Sequence, residues 1–597
     1  MNFIRLFEIL EYQQQCFPQN IALAGREGNE WRKWSTAALL YERDRLSAGL
    51  LELGLRPGDH VGMLAHCGSP QWVMADAAMM QVGMVPVPMH LTARADEIAH
   101  IVQDAQLKAC FVSNADMIKK FESAKKPVKW LIALEKPENN EPNLLFWENV
   151  ACDPDAHQSE KIKYYRDGIQ ENDLATLLYT SGTTGLPKGV MLTHANIVSN
   201  VKSVLAIVPV SPRTTAISFL PMSHILERMV TYTYQAAGVP LWFADSIERL
   251  PRTMMEVRPH FFTAVPRVLE RMHERLLEER NKGGKIKRKV MDWAIALGER
   301  FPYSGGQSMP FDYYVKRLIA DFLVFRHWRK RLGGRIQYIA VGAAAMQPEL
   351  GRLFSAAGID VREGYGLTET SPVIAFNRFE PGGVHFGTVG IPAPGVEVRI
   401  AADVDESGHG EIEVRGPNVM RGYLNLPEET ASRFTEDGWF KTGDVGFFVH
   451  KRFLKITGRK SEIFKTTTGK FVAPAFVEQQ LVGSTYISQA MALGLNKPHV
   501  AALIVPDFLQ LENWCREHQI HWTAPQFMVL NPKINKFYQQ EIDRINDTHL
   551  GSIEKIRSFA LLYEPWTAEN GLLTPTLKMR RIVLTQQFEK EIEDLYK

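Results

Sequence analysis

The run from Leu174 to Tyr179 is short and mostly apolar, long enough for one buried strand, and it stops abruptly. Thr180, Ser181, Gly182, Thr183, Thr184 and Gly185 follow, with Pro187, Lys188 and Gly189 close behind. A strand that empties into hydroxyls and glycines closed by a cation constrains the fold more than any other feature of the chain. Glycines let backbone N–H groups turn toward a ligand, and hydroxyls add donors. The combination suits a phosphate. His194 to Ile207 then reads as a helix, with Thr193 as its N-cap. The spacing is not that of a P-loop, which needs two glycines about five positions apart and then Lys with Ser or Thr at once. Here Gly182 and Gly185 are closer together, and Lys188 is followed by Gly189 and Val190. The plainer alternative is a polar surface loop with turn glycines.

With 597 residues, the chain exceeds a single core, and two or more domains are expected. A net charge of +2 gives no case for nucleic-acid binding. The cysteines Cys16, Cys67, Cys110, Cys152 and Cys515 are scattered without a CxxC pair, which argues against a zinc site or a disulfide framework and fits a reducing cytoplasm. The first residues carry Glu8 and Glu11 and lack the apolar core of a signal peptide. The best apolar window, Trp72 to Met89, is broken by Asp76, Gln81 and two prolines, so no membrane span is expected. The expected location is cytoplasmic.

From the N-terminus to about residue 150, helix patterns at Ala37–Leu53, Ser69–Gln81 and Ala95–Ala105 alternate with strand patterns at His60–Leu64, Met84–Pro88 and Ala109–Ser113. Such alternation implies a doubly wound α/β sheet. Further on, residues 281 to 335 are basic, with Trp293, Phe301, Tyr313, Tyr314, Phe322 and Trp328 interleaved. Two readings stay open for them: a surface that touches anionic lipid, or a solvated helical insertion with its aromatics in the core.

The segment TSGTTGLPKGV, residues 180 to 190, closely resembles the phosphate loop of the adenylate-forming superfamily, which includes acyl-CoA synthetases, luciferases and peptide-synthetase adenylation domains. Other motifs of that superfamily follow in order. PMSHILER places His224 where the family has a histidine beside the acyl-adenylate, a positioning role. Gly342, Ala343 and Ala344 match a turn on which adenine lies, although the family's usual proline comes only later, as Pro348. In EGYGLTE, Gly364 and Gly366 flank Tyr365; the resemblance implies Tyr365 against adenine, Thr368 at the α-phosphate and Glu369 on Mg²⁺, with Thr180 as a hydroxyl partner of the metal. One carboxylate plus phosphates suffices for Mg²⁺, which keeps several waters. Asp444 resembles the ribose-binding acid and Arg459 a ribose-contacting arginine in the hinge. Ser461 stands where relatives carry a lysine, a charge that Lys460 or Lys465 would supply, and a single Gly469 stands where relatives often have two glycines. Lys578, before Met579, Arg580 and Arg581, matches the C-terminal lysine.

The resemblance implies a large N-terminal domain, 1–458, of doubly wound sheets plus a β-barrel-like part. It carries the phosphate loop at 179–189 and an insertion at about 281–335. A small mobile α+β domain, 459–597, would swing about a hinge near 459–463. The implied activity is that of a long-chain fatty-acid–CoA ligase: ATP and a fatty acid give acyl-AMP and pyrophosphate, then CoA gives acyl-CoA and AMP. Lys578 would serve the first step. A ligase loading an acyl carrier protein, an aryl- or amino-acid-activating relative and a nucleotide- or acyl-binding module without catalysis are the alternatives. Peripheral contact with the inner face of a membrane is an open expectation, as is the oligomeric state.

Overall fold

A computed structural model describes residues 1–65, 68–137, 143–180, 186–246, 248–281, 284–302, 309–401, 409–467, 471–567, 569–573 and 579–597. Ser181, Gly182, Thr183, Thr184, Gly185 and Lys578 lie outside the described residues, as does Gly469. The chain divides into two compact units. The larger is Met1–Arg399 with Glu413–Lys441 and Phe448–Leu454; the smaller is Ile400–Ile412 with Thr442–Phe447 and Lys455–Lys597.

In the larger unit, strands Val85–Pro88, His60–Leu64, Ala109–Val112, Trp130–Ala133 and Leu144–Phe146 lie side by side in that order, all parallel. Helices begin where a side chain can accept from an orphan N–H: Ser35 Oγ accepts from Ala38 N at 3.1 Å, and Ser69 Oγ from Trp72 N at 3.1 Å with Pro70 in the first turn. The helices are Thr36–Glu52, Pro70–Gln81 and Ala95–Asp104, within two residues of the pattern read from sequence. A second sheet has nine strands. Its centre is parallel, running from Asp360–Gly366 through Tyr338–Val341, Phe261–Ala264, Ala216–Ser218 and Leu241–Phe243 to Leu23–Glu27. Antiparallel strands close both edges. The central strands are buried on both faces, which their apolar runs require.

A small antiparallel sheet orders Gly422–Tyr423, Lys188–Thr193 and Leu174–Thr180. Here the structure departs from the strand–loop–helix reading. The strands on either side of the hydroxyl-rich segment pair antiparallel, with Thr180 opposite Lys188 and Leu178 opposite Val190, and the helix starts only after that second strand. Strand Lys188–Thr193 escapes notice in the sequence because it is short and opens on Lys and Gly. The helix His194–Leu205 is capped as expected: Thr193 Oγ1 accepts from Asn196 N at 3.1 Å.

The smaller unit packs helices Pro474–Val482 and Pro532–Thr548 on a sheet of Ile487–Leu493, Val500–Pro506 and Ile556–Leu561. Every residue of Val500–Pro506 is buried, as expected of its central place.

Candidate active site

Thr180 ends one strand of the hairpin and Lys188 begins the other, so register alone sets them across from each other. The stem is fastened from outside. Tyr179 donates its hydroxyl to Asp104 at 2.6 Å, and His100 Nε2 donates to the Pro187 carbonyl at 2.9 Å. Lys188 Nζ pairs with Glu429 at 2.7 Å and lies 5.7 Å from the Tyr423 ring centroid. The Lys188 ammonium holds the Glu429 carboxyl below its ordinary range.

Glu369 hangs on the same small sheet. Its carbonyl accepts from Met420 N at 2.8 Å, and Arg421 N donates to the Met191 carbonyl at 3.1 Å. The Tyr423 hydroxyl donates to Glu369 Oε1 at 2.9 Å. Burial of the Tyr423 phenol, with Glu369 beside it, raises its pKa, so it stays a donor. An ionised carboxylate accepts at two oxygens and about four lone pairs, so Tyr423 leaves Glu369 capacity for a hard cation. Glu369 and the Thr180 hydroxyl each offer oxygen, the donor type that Mg²⁺ takes together with phosphate oxygens and water. Thr368 opens the short helical turn Thr368–Thr370 that carries Glu369.

Tyr365 lies on strand Asp360–Gly366 between Gly364 and Gly366. A Cβ on Gly366 would sit 1.9 Å from the Pro372 carbonyl oxygen, and one on Gly364 would sit 2.6 Å from the Phe376 ring. These glycines are demanded by the antiparallel neighbour Val373–Phe376. Gly342 differs: a Cβ there would meet only ordinary contacts, 3.4 Å from Leu226 and 3.7 Å from the Gly364 carbonyl. Protein packing therefore does not explain its smallness. Ala343 next to it holds a left-handed φ of 71°. The turn is fixed by Glu363, a buried carboxyl whose Oε1 accepts from Met346 N at 3.1 Å; burial pushes it up to about 8.

His224 caps helix Ile225–Ala236. Its Nδ1 accepts from Leu226 N at 3.2 Å, which places the proton of the neutral ring on Nε2. Four positions on, the Arg228 guanidinium meets the Asp76 carboxylate, with both side chains fully buried: Nη2 reaches Oδ1 at 2.5 Å. Arg228 Nη1 also donates to Thr176 Oγ1 at 2.6 Å. Thr176 belongs to the strand that feeds the loop, so this arginine ties the His224 helix to the hairpin.

The smaller unit carries the remaining residues. Arg459 Nε and Asp444 Oδ1 are 3.2 Å apart. Lys460 Nζ pairs with Glu411 at 2.7 Å, and Glu411 also accepts from Gly443 N at 3.1 Å. Lys465 is exposed in the hairpin of Phe464–Lys465 with Phe471–Val472, its ammonium 5.3 Å from the Phe471 ring centroid. The segment holding Lys578 is flanked by a bridge between Leu573 and Met579. Arg581 just beyond it pairs with Glu478 at 2.6 Å and reaches Glu462, in the segment after Arg459, at 3.6 Å.

The sequence did not single out Tyr423, Glu429, Glu363 or Arg228. Glu363 and Arg228 sit inside segments already marked, and burial of a charge there was the only available signal. Tyr423 and Glu429 become visible only through strand register.

Residues 10–424 match the AMP-binding enzyme family. The chain belongs to that family. A long-chain-fatty-acid–CoA ligase of Mycobacterium tuberculosis is 32% identical over 560 residues, 92% of this chain and 90% of that protein. Human long-chain-fatty-acid–CoA ligase 1 is 31% identical, covering 95% of this chain and 82% of that protein. Among solved structures, ATP-bound MatB from Rhodopseudomonas palustris superposes with a TM-score of 0.70 at 21% identity over the whole of both chains. The o-succinylbenzoate CoA synthetase of Bacillus subtilis with its acyl-adenylate gives 0.68 at 20% identity over 97% of each chain. At those identities the superpositions establish the fold.

Proposed function

We propose that the protein is an AMP-forming long-chain fatty-acid–CoA ligase. The observation that carries this reading is the suspension of Thr180, Lys188 and Glu369 from one small sheet, in a chain whose relatives over nearly its full length are named long-chain-fatty-acid–CoA ligases. A fatty carboxylate is ionised at neutral pH and needs no general base. It lacks a leaving group, so its attack on the α-phosphorus of ATP, expelling pyrophosphate, converts it to acyl-AMP. That step brings anion to anion, and the residues' work is charge neutralisation by preorganised donors. Lys188 and the loop N–H groups take the outer phosphates, and Thr368 takes the α-phosphate. Glu369 and Thr180 would hold Mg²⁺, which when bound would neutralise charge on the phosphates. Gly342, Ala343, Gly364 and Tyr365 seat adenine, and His224 positions the acyl end with its Nε2 proton. Asp444 and Arg459 take the ribose, and Lys465 adds positive charge near the hinge.

The functional division falls near 459, with 459–597 acting as a mobile small domain hinged at 459–463. Lys578 serves adenylation, then withdraws as the domain turns. The CoA thiol then attacks the acyl carbonyl and AMP leaves. No described helix is long and apolar enough to cross a membrane. The scattered cysteines favour a reducing cytoplasm, with membrane contact at the periphery. Incubation with ATP, Mg²⁺ and an acid series, with and without CoA, tests the reading. AMP, pyrophosphate and a CoA-dependent thioester are expected with long-chain acids. Acyl-AMP that persists in the presence of CoA would point to a carrier-protein ligase instead.

A further inference from the structure

The insertion contains one continuous helical run: Phe311–Ala320, a π-helical turn Asp321–Phe325, and Arg326–Arg331. It is apolar on two faces. Ala320, Val324, Phe325 and Trp328 are buried in a core with Leu353 and Ala356 of helix Pro348–Ala356. The opposite face presents Phe311, Tyr314, Leu318, Ile319, Phe322 and Leu323 to solvent. Phe311 is 81% exposed, Leu318 51% and Phe322 60%. The positions recur every three or four residues, so they form one stripe along the helix. An unpartnered stripe of large apolar side chains is a docking face, because scattered surface apolars do not align in this way.

Charge identifies the occupant. Between 284 and 335 there are twelve Lys and Arg against four Asp and Glu, in a chain whose net charge is only +2. Exposed Arg326, Lys330 and Arg331 follow the stripe, and exposed Lys285, Lys287, Arg288 and Lys289 open the neighbouring helix Lys285–Glu299. The Arg326 guanidinium lies 3.9 Å from the Phe322 ring centroid, an arginine stacked on the aromatic it borders. Apolar residues on the exposed face with basic groups around them are the arrangement of a helix lying in the interface of an anionic bilayer. No described helix is long and apolar enough to cross a membrane.

We propose that the face Phe311–Leu323 docks on an anionic lipid surface, the helix lying parallel to it, and holds the protein where amphiphilic acids partition. The proposal deepens the ligase reading and rests on it for its purpose. The docking itself is measured separately from activity. Sedimentation with vesicles of phosphatidylcholine containing about 40% phosphatidylglycerol should carry the full-length protein down, and high salt should release it. The Leu318→Asp, Phe322→Asp double variant should lose at least about tenfold in partitioning. The Arg326→Gln, Lys330→Gln, Arg331→Gln variant should lose about tenfold or more. Both should keep the parent's thermal midpoint and its rate of thioester formation from a water-soluble medium-chain acid without vesicles. Full activity on that acid with no sedimentation would overturn the docking proposal and leave the ligase reading standing. Equal sedimentation of parent and variants, or binding indifferent to phosphatidylglycerol, would overturn it. So would a dimer in analytical ultracentrifugation that the Asp variant dissociates, because the stripe would then face a second copy.

Discussion

Two helices of the larger unit invert the usual arrangement in opposite senses. Helix Ile225–Ala236 buries Glu227, Arg228, Thr231, Thr233 and Gln235, all but one of its residues being inaccessible to solvent. The run from Phe311 to Leu323 exposes its largest apolar side chains. Both departures cost free energy, and both coincide with surfaces that the proposed chemistry uses. In the first helix, polar groups are drawn inward, and Arg228 links the helix that His224 caps to strand Leu174–Thr180. In the second, apolar groups are left outward for something outside the chain to cover. A helix's composition therefore says little about where its faces point, while a reversal of the expected pattern marks a site.

The sharpest way to break this comparison is to remove one partner of the buried pair. Arg228→Met removes the guanidinium that faces Asp76 in the core and leaves that carboxyl with the Tyr232 hydroxyl alone of the two, and chemical denaturation should show a loss of about 3–5 kcal/mol. A loss under about 1 kcal/mol would mean that the pair is not buried in solution.

The next effect depends on pH. Burial pushes the Glu227 carboxyl up to about 8 from an ordinary 4.5. The folded protein therefore binds a proton that the unfolded chain has released between those values. That contribution to stability is whole below about pH 4.5 and is lost as pH rises toward 8, by about 1.4 kcal/mol per pH unit. Glu227→Gln should flatten the decline of unfolding free energy across this window. Glu363, also raised to about 8, contributes in the same sense and is unaffected by that variant. An unchanged slope in Glu227→Gln would show the carboxyl to be solvated.

Smaller again is the cap. His224→Ala removes the acceptor for Leu226 N and should cost about 1 kcal/mol in thermal or chemical unfolding. The smallest effect belongs to the other helix. Leu318→Ser and Phe322→Ser should each change stability by no more than about 0.5 kcal/mol, because solvent already covers those side chains. A loss of several kcal/mol there would place the stripe inside the protein and end the contrast.

Much of the fold was legible in the sequence. Alternation of periodicities found the helices and strands between about residues 36 and 113 to within two residues, since capping serines and turn glycines mark their ends, but missed helix Ile9–Cys16 and the strands Leu23–Glu27 and Glu30–Trp34. The motifs marked the hairpin loop, the 342–344 turn and the 364–369 segment as candidate site material. What escaped was pairing. Lys188 meets Glu429, and Glu369 meets Tyr423, only because Gly422–Tyr423 adds to a strand more than two hundred residues earlier. No local pattern encodes that register. The basic insertion shows the same limit. Of its interleaved aromatics, Phe301 and Trp328 are buried while Trp293, Tyr314 and Phe322 are exposed, so the reading that puts the aromatics in the core holds for only some of them. A π-helical turn shifts the phase between the two faces, and periodicity alone does not announce it.

The central claim, an adenylating ligase whose Lys578 acts in the first half-reaction, is tested most directly by measuring both half-reactions in Lys578→Ala. Pyrophosphate release from ATP with a long-chain acid should fall about 10²–10³-fold, the scale of one charged transition-state contact. Conversion of supplied acyl-AMP and CoA to thioester should stay near the parent rate. Equal losses in both half-reactions, or adenylation that survives the substitution, would contradict the account.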